Sequence, residues 1–343
     1  MAVRQSQGSA GRASSADWLT AAIGRGHKVA ALVLLAALLA LGALVGVAWA
    51  AGFHGVWRRL VYPHWIWLPV AILGEVVAYL GYTLAYRDTV RAEGGAELET
   101  PRAAALVATG FGVFLQGGGF ALDREALKRS GLDEREARAR VLGLGALEYS
   151  ILAPVALVAA LVVFLDDNRV SKSLTLPWIV GVPAGAAVAL AALRYRRRIE
   201  RPSGWRSHIG HALTALRLVL SICRSPFRYG LGLVGISLYW VGDVFCLWAA
   251  LHAFYAHPPP AAQLVVGYAT GYAVTRRALP LGGAGIVEAL LPFALGWVGI
   301  ELAPALLAVV AYRTINLWLP MVPALISIPA LARIERTPPD RRS

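Results

Sequence analysis

The sequence predicts an all-α polytopic membrane protein: six full spans plus two re-entrant helical hairpins, forming an inverted structural repeat. Three observations carry that expectation: long apolar runs nearly free of charge, basic residues gathered into alternate loops, and two apolar stretches broken by glycine. Of 343 residues, 57% are hydrophobic and 15% charged. A helix rises about 1.5 Å per residue, so about 20 apolar residues cross the hydrocarbon.

The first apolar run, 29–51 (VAALVLLAALLALGALVGVAWAA), follows a polar basic tail at 1–28 that holds Arg4, Arg12, Arg25 and Lys28. Ala-Trp-Ala at 48–50 resembles a signal-peptidase site. The run exceeds a signal h-region of about 7–15 residues, so it reads as a retained span. Further spans are expected at 65–86, 141–165, 176–194, 228–254 and 303–332. Residues 205–223 (WRSHIGHALTALRLVLSIC) read as an amphipathic helix on the cytoplasmic leaflet, with His208 and His211 as interfacial polar residues rather than metal ligands.

Basic residues set the orientation. With the N-terminus in the cytoplasm, 1–28, 87–102, 120–140, 194–228 and 333–343 are cytoplasmic and hold 26 of the 33 lysines and arginines. The external loops hold Arg58, Arg59, Arg169 and Lys172. This is the positive-inside bias of a multi-pass membrane protein with both termini cytoplasmic. It also accounts for the net charge of +13 without nucleic acid. The arrangement requires 103–121 and 262–299 to enter and return on the same side. Non-helical backbone at that depth is tolerated where it is buried in protein or lines a wet cavity.

The two halves echo each other. Gly74-Glu75-Val76 and Gly242-Asp243-Val244 share a pattern, as do VATGFGV at 107–113 and YATGYAV at 268–274. The offsets are 168 and 161 residues. Each ATG stretch is followed by glycines: Gly117, Gly118 and Gly119 in one half, Gly282, Gly283 and Gly285 in the other. The domain reading is therefore a tail at 1–28, a transmembrane domain at 29–332 with half-repeats of about 29–165 and 176–332, and a tail at 333–343. Inverted repeats with broken helices near mid-membrane are a transporter pattern.

Glu75, Glu148, Asp243, Arg276, Arg277, Glu288 and Arg313 lie in or beside apolar stretches. A charge at mid-span costs about 2.5–3.5 kcal/mol on insertion scales, so such residues pair with one another or serve function. In YATGYAVTRRALPLGGAGIVEAL (268–290), Pro280 ends one half-helix and the glycines let backbone approach a ligand. The helix expected to start near Gly283 offers free N–H groups to an anion, with Arg276 and Arg277 alongside. Glu288 falls where it suits the helix dipole, or caps the helix without touching a ligand. Arg313 and Asn316, three apart, share a face of the last span. Gly117–Gly119 and Asp123 form the cytoplasmic counterpart.

The sequence LPLGGAGIVEALL followed by VVAYRTINLWLPMVPA resembles the closing part of the lysylphosphatidylglycerol synthase transmembrane-region family, the flippase-like domain proteins. The family's Pro-Gly-Gly-x-Gly-x-x-Glu element is matched by Pro280, Gly282, Gly283, Gly285 and Glu288, with Leu281 inserted. Its Arg-x-x-Asn/Tyr-x-Trp-x-Pro element is matched by Arg313, Asn316, Trp318 and Pro320. The stretch GGFALDREALKRSGLDEREARARVLGLGALEYSILAP resembles the family's middle region. The resemblance implies a membrane protein that moves aminoacylated phosphatidylglycerol or a related lipid between leaflets. Better understood members carry an aminoacyl-transferase domain after the membrane region; none follows here, so translocation rather than synthesis is the expectation.

Motifs of enzymes are scarce: there is no HExxH, no P-loop and no GxSxG in a strand–helix setting. Cys223 and Cys246 have neither metal-ligand nor disulfide spacing. The expectations are no catalytic residues, no metal and no cofactor, with an anionic-head-group membrane lipid and the bilayer as partners, beside a homo-oligomer or a separate lipid-synthesising enzyme. The runner-up is an intramembrane enzyme, or an enzyme's partner, in envelope-lipid or polyprenyl-linked lipid metabolism. There Glu75, Asp243 and Glu148 would supply paired carboxylates.

Overall fold

The computed structural model describes residues 26–113, 123–124, 126–128, 131–166, 170–195, 206–254, 258–273 and 283–319. Its helices are α1 (Gly26–Ala51), α2 (Phe53–Leu60), α3 (Trp67–Arg91), α4 (Thr100–Val113), α5 (Glu134–Asp166), α6 (Lys172–Arg194), α7 (Arg206–Arg224), α8 (Pro226–Phe254), α9 (Ala261–Tyr268), α10 (Ile286–Trp297) and α11 (Leu302–Arg313). Among the described residues five helices, α1, α3, α5, α6 and α8, are long and apolar enough to cross a membrane. They correspond to five of the six expected spans. The sixth, 303–332, is described only to Leu319, as α11 followed by a π-helical turn at Thr314–Trp318.

The most extensive helix pair is α3 with α8. They run antiparallel with backbones in contact. A Cβ on Gly74 would lie 2.9 Å from the Gly242 carbonyl oxygen, and one on Gly242 would lie 2.5 Å from that of Gly74. Gly81 and Gly235 repeat the reciprocal contact two turns along, each at 2.5 Å from the other's carbonyl oxygen. Membrane helices lack a hydrophobic drive to associate, so packing of small residues supplies the attraction. The Gly-acid-Val echo thus marks the place where the two helices cross.

Helix ends explain the flanking geometry. Asp133 caps α5, its Oδ1 accepting Glu136 N–H at 2.6 Å, and Glu134 and Glu136 suit the dipole of the first turn. Arg140, one turn on, reaches across to α3, where Nε and Nη2 donate to the carbonyls of Val90 and Ala92 at 2.8 and 3.1 Å. The α3 terminus thereby receives donors that its own backbone lacks. Ser171 caps α6.

One difference from the sequence expectations has a plain cause. Helix α7 does not keep its apolar face for the leaflet: Leu213, Ala215, Leu218, Val219 and Ile222 are buried, and α7 packs on α5. Amphipathy marks an apolar face without saying what covers it. Stretch 262–299 forms two short arms: α9 with a π-helical turn at Ala269–Ala273, and α10. They pack antiparallel, since Gly267 lies against Ala294 and Val298 while Gly271 lies against Leu291. With 12 residues, α10 spans only about 18 Å, short of the ~30 Å hydrocarbon core. Of stretch 103–121, helix α4 is seen packed on α3; Gly117, Gly118 and Gly119 lie outside the described residues.

Candidate functional site

Where α3, α8, α9, α10 and α11 meet, the interior is polar. Glu75 comes from α3 and Asp243 from α8, beside the two glycines at the crossing. The α9 arm supplies Tyr268 and Tyr272, four residues apart and so on one face. Tyr312 and Arg313 end α11, and Asn316 sits in the π-helical turn after it. Tyr272 also lies in a π-helical turn. Such turns inside helices are frequent at functional sites, because the extra residue re-aims side chains.

Asp243 is fully buried and accepts three hydrogen bonds: from Tyr268 OH to Oδ2 at 2.5 Å, and from Tyr312 OH and Asn316 Nδ2 to Oδ1 at 2.8 Å each. Tyr272 OH donates to Asn316 Oδ1 at 2.8 Å, which orients the amide with its nitrogen toward the acids. The same nitrogen lies 3.3 and 3.4 Å from the two Glu75 carboxylate oxygens. One side-chain amide therefore bridges the two acids that the sequence pairs across the halves.

Arg313 and Glu288 form an ion pair, Nε to Oε1 at 2.8 Å, with side chains only 3% and 2% exposed. The guanidinium also lies 5.8 Å from the centre of the Tyr272 ring. The other Glu288 oxygen accepts Gly285 N–H at 2.7 Å. Gly285 is the N-cap of α10, with φ +84°, and Gly283 has φ +72°. These left-handed conformations favour glycine. A Cβ at Gly285 would also crowd Leu39 of α1, at 3.1 Å from its carbonyl oxygen.

The geometry corrects the expected anion site in part. The α10 helix begins at Ile286 rather than near Gly283, and Glu288 occupies the N-cap N–H. Of the two readings open for Glu288, the cap is what the structure shows, joined by the ion pair. Glu75, Asp243, Glu288, Arg313, Asn316 and Gly285 are thus brought together. Glu148 is buried on α5, where its backbone carbonyl accepts Trp240 Nε1–H at 2.9 Å, and the Trp240 ring packs edge-on to Tyr268. Arg276, Arg277, Pro280 and Gly282 lie outside the described residues.

The tyrosines were missed from sequence, although Tyr268 and Tyr272 open the very stretch singled out there. Among the described residues no cluster of three or more His, Cys, Asp or Glu is placed to hold a metal. Chemically the site offers carboxylates to a cation, and phenols, an amide and a guanidinium to phosphate or carbonyl oxygens.

Two comparisons bear on identity. The family model for the lysylphosphatidylglycerol synthase TM region matches residues 29–324, which covers most of the chain. No curated protein matches it.

Proposed function

Because the chain belongs to the lysylphosphatidylglycerol synthase TM-region family, we propose that it is a lipid translocase rather than an enzyme. It moves an anionic or aminoacylated phospholipid between leaflets of the bacterial inner membrane, with both termini cytoplasmic. The observation that carries this reading is the buried network of Glu75, Asn316, Asp243 and the Arg313–Glu288 pair between helices of membrane-spanning length. Polar groups at such depth mark substrate pathways. An aminoacylated head group bears an ammonium and a phosphate, and this lining has groups for both.

The barrier to crossing is desolvation of the head group, and a polar interior lowers it. The short antiparallel arms α9 and α10 act as a re-entrant hairpin from the outer face. The reciprocal glycine contact of α3 and α8 supports an inverted repeat, with the head group handled where the halves meet.

The test is a leaflet-resolved assay in proteoliposomes with a fluorescent anionic phospholipid. Asn316→Ala and Arg313→Ala should slow transfer at equal folded protein; transfer at the parent rate would overturn the site. The runner-up, an intramembrane enzyme or its partner, draws on one feature: Glu75 and Asp243 meet at a single amide. Lipid mass analysis of a deletion strain separates the two. Loss of a lipid species favours the enzyme, and altered sidedness of unchanged species favours transport.

A further inference from the structure

Behind the polar network, on the outside of the helix bundle, lies a groove of about 460 Å³ walled by α5, α8 and α9. Val155 of α5, Val241, Phe245 and Trp248 of α8, and Leu264 of α9 define it. Val155 and Val241 are 48% and 64% exposed, so the groove opens sideways from the bundle. Both α5 and α8 have membrane-spanning length, and the opening therefore faces hydrocarbon.

The groove makes little polar demand. Of its polar groups, the Ser237 hydroxyl and the Trp240 indole N–H are already satisfied by backbone, and the Trp248 indole lies at one end. Ser237 Oγ donates to the Leu233 carbonyl and Trp240 Nε1 to that of Glu148, each at 2.9 Å. Its extent is also informative. Ser237 lies at one end on α8, and Trp240, one turn in, separates the groove from Tyr268, with ring centres 6.1 Å apart. Trp248 forms the other end, in edge contact with Trp67 and His252 at 5.4 and 4.2 Å. Such amphipathic ring clusters suit the membrane–water boundary. Eleven residues of helix separate Ser237 from Trp248, about 16 Å of rise, close to one leaflet's half of a ~30 Å hydrocarbon core.

We propose that this groove is an acyl-chain site that takes one fatty-acyl tail of the glycerophospholipid whose head group the network handles. The identity of that lipid rests on the translocase reading. A single hydrocarbon chain needs no hydrogen-bond partner and lies along the membrane normal, as the groove does. It passes beside Trp240, whose far side touches Tyr268, so the tail is held one ring away from the network.

The test uses the full chain in phosphatidylglycerol vesicles doped with a phosphatidylglycerol that carries a diazirine in mid acyl chain. After irradiation, adducts are mapped by peptide mass spectrometry. Adducts on Val155, Val241 and Phe245 should exceed those on the exposed face of α6 by about tenfold, a preference of about 1.4 kcal/mol. Val241→Trp, or Val155→Trp from the opposite wall, should abolish the excess. Several results would overturn the site: equal labelling of α6, labelling unchanged in both tryptophan variants, displacement by a polyprenyl phosphate but not by phosphatidylglycerol, or adducts replaced by cross-links between copies. Asn316→Ala in the same vesicles keeps the two readings apart. Normal transfer with groove labelling removes the network reading and leaves the groove; lost transfer without groove labelling does the reverse.

Discussion

Removing one member of the Arg313–Glu288 pair gives the most direct test of the site's electrostatics. Both side chains are almost fully buried, so Arg313→Met leaves a carboxylate with its main cation gone. Breaking a buried pair by removing one partner typically costs 3–5 kcal/mol, much of it the uncompensated charge left behind. Glu288→Gln should cost a similar amount through the stranded guanidinium, while its amide oxygen still accepts from Gly285 N–H. The double variant removes both charges together. It should cost only about 1–2 kcal/mol, since replacing a whole buried pair is often near neutral and the cation–π contact with Tyr272 goes as well. The cycle then yields a coupling energy of roughly 4–9 kcal/mol, above the usual range for neighbouring residues. Equilibrium unfolding in bicelles measures all four corners. Additive single costs, within about 0.5 kcal/mol, would refute the pairing.

Other outcomes follow from close contacts and caps. Gly81→Ala should lower unfolding stability by about 1–3 kcal/mol, because its Cβ would meet the Gly235 carbonyl oxygen at 2.5 Å; Gly181→Ala on α6, with nothing within 4 Å, should change it by less than about 0.5 kcal/mol. Gly285→Ala forces a left-handed φ of +84° and should cost about 1–2 kcal/mol in the same measurement. Tyr272→Phe removes the donor that orients Asn316, so vesicle transfer should slow about tenfold while stability falls by about 1 kcal/mol. Arg140→Met uncovers the Val90 and Ala92 carbonyls, and hydrogen exchange at the C-terminal end of α3 should rise.

The sequence was most legible where backbone chemistry leaves a mark in text. Glycines beside Glu75 and Asp243 had to be glycines, because two helices touch there, and the acids beside them inherit the same neighbourhood. The break before α10 showed in Gly283 and Gly285, whose positive φ values other residues resist. The tyrosines were harder to read. In an apolar run Tyr268, Tyr272 and Tyr312 pass for core filler, and their hydroxyls gain meaning only once Asp243 and Asn316 are known to face them. Charge signs did not reveal partners either. Arg313 in an apolar span reads the same as half of an ion pair or as a ligand contact, and the structure shows Glu288 at 2.8 Å. The overlooked groove has a similar cause: valine and phenylalanine on a membrane helix read the same whether they line a slot or face open lipid.

The backbone contact between α3 and α8 has a mechanical meaning. Helices that touch at Gly74–Gly242 and Gly81–Gly235 have no side-chain cushion in which to slide, and a shift of one residue would drive Cβ atoms into carbonyl oxygens. This pair is therefore an axle, fixed in length and register, and it carries Glu75 and Asp243. In the proposed translocation any swinging element, the α9–α10 arms and α11 among them, would swing around it. Tyr268, Tyr312 and Asn316, which grip Asp243, all sit on those parts. On that proposal, opening on either face would mean letting go of a carboxylate that itself stays still.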